Sequence, residues 1–223
     1  MNIVLDWGPI WQHRDQIIDG LLTTIALSAA GLLGAVLIGA VAGTAGASRW
    51  RTARVGAVLY VEGVRNVPLL LHIYFWFLGL SALQLPAFLC AVLGLSIYSG
   101  AYAAEIIRAG LLSIPPGQAE AARALGLGGW LTLRKVVYPQ ALRVIAPSLA
   151  SLFSQLIKDS SLASVVAVGE LAYQAGAIEA DTFRTFEVYI TIAVLYLVLV
   201  TVISQALLWL PAPQPGVAGA RDG

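Results

Sequence analysis

The few residues of this chain that can do chemistry sit mostly inside or beside apolar runs. Of 223 residues only 11% are charged, 13 basic against 12 acidic, and there are two histidines. Glu62 and Arg65 stand three positions apart, as do Glu105 and Arg108. That spacing puts each pair on one face of a helix. Lys158-Asp159-Ser160-Ser161 sets an ammonium, a carboxylate and two hydroxyls in a row, and His72 stands alone in an apolar stretch. Such groups can pair with one another or hold a polar solute. No H-E-x-x-H, G-x-S-x-G or G-x-x-x-x-G-K-[ST] stretch accompanies them. His13 and His72 lie on different segments, so a membrane enzyme is disfavoured and no metal site is expected. Cys90 is the single cysteine, which excludes an intramolecular disulfide and a Cys-rich metal site.

The elements that must position these groups are membrane spans. Hydrophobic residues make up 59% of the chain and mean hydropathy is +0.83. So little charge cannot cover a water-facing surface, and disorder is excluded for the same reason. The net charge of +1 argues against nucleic acid as a partner. Stretches 20–48, 66–104 and 188–220 carry no Asp, Glu, Lys or Arg. A span needs ~20 apolar residues, so 66–104 is two, divided at Gly79-Leu-Ser-Ala-Leu-Gln-Leu-Pro86. The expectation is an all-α integral membrane protein with five transmembrane helices, about 18–46, 55–80, 86–111, 140–166 and 187–210. Residues 1–17 form an outer N-terminus with no removable signal peptide. Residues 211–223 read as a disordered Pro/Gly/Ala tail.

Positive charge orients the bundle. Arg49, Arg51 and Arg54 fall in one loop; Arg108, Arg123, Arg134, Lys135 and Arg143 fall in the next loop on the same side. The opposite side is acidic, with Asp6, Asp15, Asp19, Glu170, Glu179, Asp181 and Glu187. This places the N-terminus outside and the C-terminus in the cytoplasm.

Loop 113–139 is the most informative stretch. Pro115-Pro116-Gly117 breaks the third helix. Gln118-Ala-Glu120-Ala121-Ala122-Arg123-Ala-Leu125 is a strong short helix by propensity, closed by Gly126 in a left-handed conformation. Trp130–Val137 reads as a second short helix stopped by Pro139. A short Ala-rich helix between sharp turns is either a docking element, approachable by another backbone, or a helix lying on the membrane surface.

The stretch from Ala104 through Glu120-Ala121-Ala122 to Gly126 resembles the EAA loop of ABC importer permeases, most closely the polar amino-acid uptake branch (histidine, glutamine, arginine and glutamate permease subunits). Tyr60-Val-Glu62-Gly-Val-Arg65-Asn-Val-Pro68-Leu-Leu resembles the second-helix signature of that branch, and Lys158-Asp159-Ser160-Ser161-Leu162 its fourth-helix signature. Together they cover most of residues 18–210. The resemblance implies a type I importer permease in the bacterial inner membrane, with a short cytoplasmic coupling helix. Gly117, Gln118, Glu120, Ala121, Ala122 and Gly126 would seat it on a separate cytoplasmic ABC ATPase, which would hold ATP and Mg. This chain would need no cofactor of its own. The other implied partners are a second permease subunit, identical or related, an extracytoplasmic amino-acid-binding protein, and the lipid bilayer.

Within that resemblance several residues keep two readings. Glu62–Arg65 and Glu105–Arg108 are ion pairs that lock the bundle, or pairs that reorganise during the transport stroke. An amino acid is a zwitterion, so Lys158, Asp159, Ser160 and Ser161 either line its pathway or form a self-neutralised helix end. His72, where the family more often has Gln, is a hydrogen-bonded packing residue or a contributor to substrate choice. Tyr98 reads as a packing or interface aromatic. Gly31, Gly34, Gly39 and Gly43 have small-residue packing spacing, a weak signal for a dimer face. The rival reading, an ion-gradient-driven secondary amino-acid transporter, predicts inverted repeats that five spans do not show.

Overall fold

The computed structural model describes residues 5–79 and 81–209. A short helical turn, Gly8–Gln12, leads into α1, Arg14–Ala47. Then follow α2 (Arg51–Arg65), α3 (Leu69–Tyr74, continued by a π turn at Phe75–Gly79) and α4 (Ala87–Leu112). The remaining helices are α5 (Pro116–Ala124), α6 (Tyr138–Asp159), α7 (Leu171–Thr182) and α8 (Thr185–Trp209). Among the described residues there is no strand. Residues 1–4 and the 211–223 tail lie outside them.

Four stretches are long and apolar enough to cross a membrane: Arg14–Ala47, Ala87–Leu112, Gly129–Val166 and Thr185–Ala206. The segment expected as one helix over 55–80 is divided. Pro68 has no N–H to donate and pushes Val67 out of helical geometry, so α2 stops at Arg65 and α3 restarts at Leu69.

Pro139 does not stop a helix, contrary to expectation. Helical backbone runs from Gly129–Thr132 through a π turn at Leu133–Val137 directly into α6. The wider π turn admits the proline ring near the start of α6. Gln140 Nε2 donates to the Val136 carbonyl at 2.9 Å. At the far end Ser160–Val166 tightens into a 3-10 helix that closes on Ala167 (φ 59°).

α7 was not anticipated. Residues 170–187 read only as an acidic stretch outside the spans, yet the Glu170 carboxylate caps a 12-residue helix by accepting from Tyr173 N–H at 2.8 Å.

The tightest packing joins α1 to α4. Gly31, Gly39 and Gly43 are buried on α1, and Gly34 lies against Ser96. A Cβ at Gly43 would sit 2.6 Å from the Ala104 carbonyl oxygen, so only glycine permits this approach. The glycine stripe is therefore used inside the chain and not as a dimer face. Leu27, Ile73, Leu95 and Leu156 fill the middle of the bundle. Ile17, Leu171, Ile178 and Val188 form the core where α7 meets α1 and α8. Ile107, Leu111, Ala141 and Ile145 form the core at the opposite end, beneath α5.

Candidate functional site

α5 is held by its ends and one buried side. Pro116 occupies the first turn, where its missing N–H costs nothing. At the other end Leu127 N–H bonds the Ala122 carbonyl (3.1 Å) and Gly126 N–H bonds the Arg123 carbonyl (2.9 Å). These two bonds make a Schellman cap, with Gly126 at φ +84°. Ala122 is buried at 4% exposure, and Gln140 Nε2 donates to Gln118 Oε1 at 3.3 Å, seating the helix on the chain. Gly117, Glu120, Ala121 and Gly126 remain exposed, and so do Leu125 at 83% and Trp130. The outward face is small and flat, with an apolar knob at its end.

A charged cleft of about 410 Å³ lies between the end of α1, α2 and α4. Arg108 grips Glu105 through Nε–Oε1 at 3.1 Å and a second nitrogen to Oε2 at 3.3 Å. Gly46 makes room: a Cβ there would lie 2.9 Å from Arg108 Cδ. The expected Glu62–Arg65 pair does not form. Arg65, the last residue of α2, places its guanidinium 4.9 Å from the Tyr102 ring centroid. Glu62 faces the charged cleft with Arg54, Glu105 and Arg108 instead.

A second, polar cleft of about 260 Å³ opens between α4 and α6, lined by Tyr98, Ser99, Tyr102, Leu152, Gln155 and Asp159. Asp159 Oδ1 accepts from Gln155 Nε2 at 2.8 Å. The Tyr98 and Tyr102 hydroxyls meet at 3.2 Å. A carboxylate, two phenols and the Arg65 guanidinium over Tyr102 thus share one region. Lys158 does not join it and makes no ion pair with Asp159 among the described residues, because successive helical residues do not face each other. Ser160 is buried, with its hydroxyl on the Ile157 carbonyl (2.7 Å), and Ser161 bonds back to the Lys158 carbonyl (2.7 Å). Of Lys158–Ser161, only Asp159 lines the cleft.

His72 answers the break at Pro68. The Val64 carbonyl has no i+4 N–H to receive; it accepts from Val67 N–H at 3.2 Å, and His72 Nε2 adds a second bond at 3.2 Å. A carbonyl only accepts, so this nitrogen carries the hydrogen. The ring also packs against Tyr98 at 5.7 Å, which makes His72 part of the cleft's supporting wall.

The family model described as "Binding-protein-dependent transport system inner membrane component" matches residues 35–211. The chain belongs to that family. Among relatives, the glutamine transport system permease protein GlnP of Escherichia coli K12 is 38% identical over 203 residues, covering 89% of this chain and 93% of the relative. The nopaline transport system permease protein NocQ of Agrobacterium fabrum C58 is 35% identical over 221 residues, covering 92% and 93%. A chain in the crystal structure of an amino acid ABC transporter with histidines superposes with a TM-score of 0.82 at 35% identity, covering 92% of this chain and 97% of that one. The fold is the type I permease fold, and this chain is a membrane permease of the amino-acid branch. The matches lend no support to an ion-gradient-driven transporter.

Sequence reasoning missed Tyr102 and Gln155 of this permease and read Tyr98 only as a packing or interface aromatic, though it named Asp159. Tyr98 and Tyr102 on α4, and Gln155 and Asp159 on α6, are i, i+4 pairs facing one another; polar residues at that spacing on two spans were the available signal. It also missed the corner where α1, α7 and α8 meet. Glu170 is fully buried, and its Oε2 accepts from the Tyr196 hydroxyl at 2.6 Å. Burial pushes its carboxyl up, while the Tyr196 bond and backbone N–H groups pull it down. Thr24 Oγ1 accepts from Leu171 N–H at 3.1 Å, so α1, α7 and α8 meet there. Nearby, Asp6 N–H bonds Glu187 at 2.9 Å and Arg184 bridges both acids, tying the N-terminal segment to α8.

Proposed function

We propose that this permease forms, with a second permease subunit, the pathway of an ATP-driven importer of polar amino acids. The relatives are named for glutamine and nopaline transport, which supports that solute class. An extracytoplasmic binding protein delivers substrate to the outer end, where α7 and the N-terminal segment lie. The N-terminus faces outward and the C-terminus inward. α5 seats in a cleft of a separate cytoplasmic ATPase that holds ATP and Mg. When two such ATPases close, they carry α5 with them. The Schellman cap and the buried Ala122 pass that movement to α4 and α6 through the Ile107–Ile145 core.

The polar cleft handles the solute. Asp159 receives the ammonium, Arg65 balances the carboxylate, and the tyrosine faces hold the stem between them. The observation that carries the reading is the exposed face of Gly117, Glu120 and Ala121 on a helix closed by Gly126 at φ +84°. A helix serving only the membrane surface would present large apolar residues along that face.

The test is uptake of glutamine-type amino acids into proteoliposomes holding the full complex, with ATP inside and binding protein outside. Uptake requires both, and Asp159→Asn lowers it at least tenfold while Lys158→Gln does not. Undiminished uptake in Asp159→Asn, or uptake driven by a proton gradient without ATP, overturns the reading.

A further inference from the structure

A groove of about 590 Å³ opens between α1 and α2, lined by residues that neither cleft uses. Ala45, Ala53 and Gly56 line its cytoplasmic end; Leu37, Val41 and Tyr60 line the deeper part. Tyr60 is the polar exception, and its hydroxyl is turned away onto the Ile97 carbonyl at 2.7 Å. The wall from Leu37 to Ala45 runs ~12 Å along the helix axis. A Cβ on Gly56 would meet nothing within 4 Å, so this is open space and not packed core.

The mouth of the groove carries charge. The short link between α1 and α2 holds Arg49 and Trp50, and Arg51 begins α2; all three are exposed. Neither Arg49 nor Arg51 forms an ion pair among the described residues. Arg54 faces the Glu62–Glu105–Arg108 cleft. A tryptophan beside two unpaired arginines at a helix end marks the headgroup level, and basic pockets between spans on that side receive anionic headgroups.

We propose that this groove holds one acyl chain of an anionic phospholipid whose phosphate is bound by Arg49 and Arg51. It rests on the orientation proposed above, which puts Arg49 and Arg51 in the cytoplasmic leaflet. Lipid fits the groove better than a second permease copy does. A twofold contact of this face with itself sets like against like at one depth, bringing four arginines together. The phospholipid neutralises them.

The detergent-purified complex is delipidated and titrated with phosphatidylglycerol or phosphatidylcholine, and retained lipids are counted by native mass spectrometry. The expected result is a preference for phosphatidylglycerol that falls about fivefold for each of Arg49→Gln and Arg51→Gln, with phosphatidylcholine unaffected. Gly56→Leu fills the groove and weakens retention of both lipids, while Gly56→Ala, which fits the open space, retains most of it. Equal retention of the two lipids by wild type, or arginine variants that hold phosphatidylglycerol as wild type does, overturns the proposal. Loss of a second permease chain from the Gly56→Leu complex also overturns it, because the groove would then be a subunit interface. None of these readouts depends on ATP-driven uptake or on which leaflet the groove faces.

Discussion

Gly126→Ala puts a Cβ on a residue whose φ is +84°. The added atom meets no neighbour within 4 Å, so backbone strain is the whole effect in this chain. Left-handed geometry costs an L-residue ~1–2 kcal/mol. α5 has only 9 residues, too few to be stable alone in water. Its anchors are Ala122, the Gln118–Gln140 bond and the two cap bonds. A loss of ~1–2 kcal/mol therefore raises the open fraction of α5 about 5–30-fold. Hydrogen exchange on the purified permease reads this directly at the amides of Gly126 and Leu127. They should exchange about 5–30-fold faster in Gly126→Ala, less so in Gly126→Asn, since asparagine tolerates this conformation. The α1 and α4 amides should not change. Ala121→Trp is the complementary variant: it leaves the cap and its exchange intact but adds bulk to the exposed face, and should abolish substrate-stimulated ATP hydrolysis in the complex. Wild-type exchange in Gly126→Ala refutes the cap argument. Undiminished stimulation in Ala121→Trp refutes the docking face.

Three further outcomes follow from the packing. Gly43→Ala drives a Cβ against the Ala104 carbonyl, a backbone atom that cannot rotate away, and should cost ~1–3 kcal/mol, seen as a lower Tm in detergent; Gly56→Ala, in open space, should be neutral or stabilising. His72→Leu removes the second donor from the Val64 carbonyl, which keeps Val67 N–H, and should cost ~0.5–1.5 kcal/mol, with His72→Gln recovering most of it in the same melt. Burial raises the Glu170 carboxyl above 4.5, so the folded chain holds that proton more tightly than the unfolded one. Its contribution is thus greatest below pH 4.5 and declines as pH rises through the raised value, and Glu170→Gln should remove that part of the Tm-versus-pH slope.

Charge-free runs marked most of the long apolar helices, because a bilayer leaves that signal in any sequence. α5 and its closing Gly126 were legible because a glycine after an Ala-rich turn has one local meaning. Elements set by tertiary contact were not legible in this way. The division at Pro68 hid inside an apolar run, and its repair by His72 joins residues eight positions apart. Pro139 looked like a stop because a π turn has no sequence signature of its own. α7 depends on Glu170, which is buried only because Tyr196 and α1 close over it. At the polar cleft, Lys158, Asp159, Ser160 and Ser161 were a motif by adjacency. Helical geometry scatters adjacent residues, and only Asp159 reaches the cleft, in company with tyrosines that no local pattern linked to it.

The central claim is that α5 is where energy enters, and one cross-link tests it most directly. Cys90 is the single native cysteine and is buried, so Ala121→Cys supplies the exposed thiol needed. The variant is expressed with its genomic neighbours in native membranes and treated with a short thiol-reactive cross-linker. The account predicts a covalent product between this permease and a separate ATP-hydrolysing chain, diminished when nucleotide changes the state of the complex. A thiol that cross-links to no such chain in membranes where uptake proceeds contradicts it.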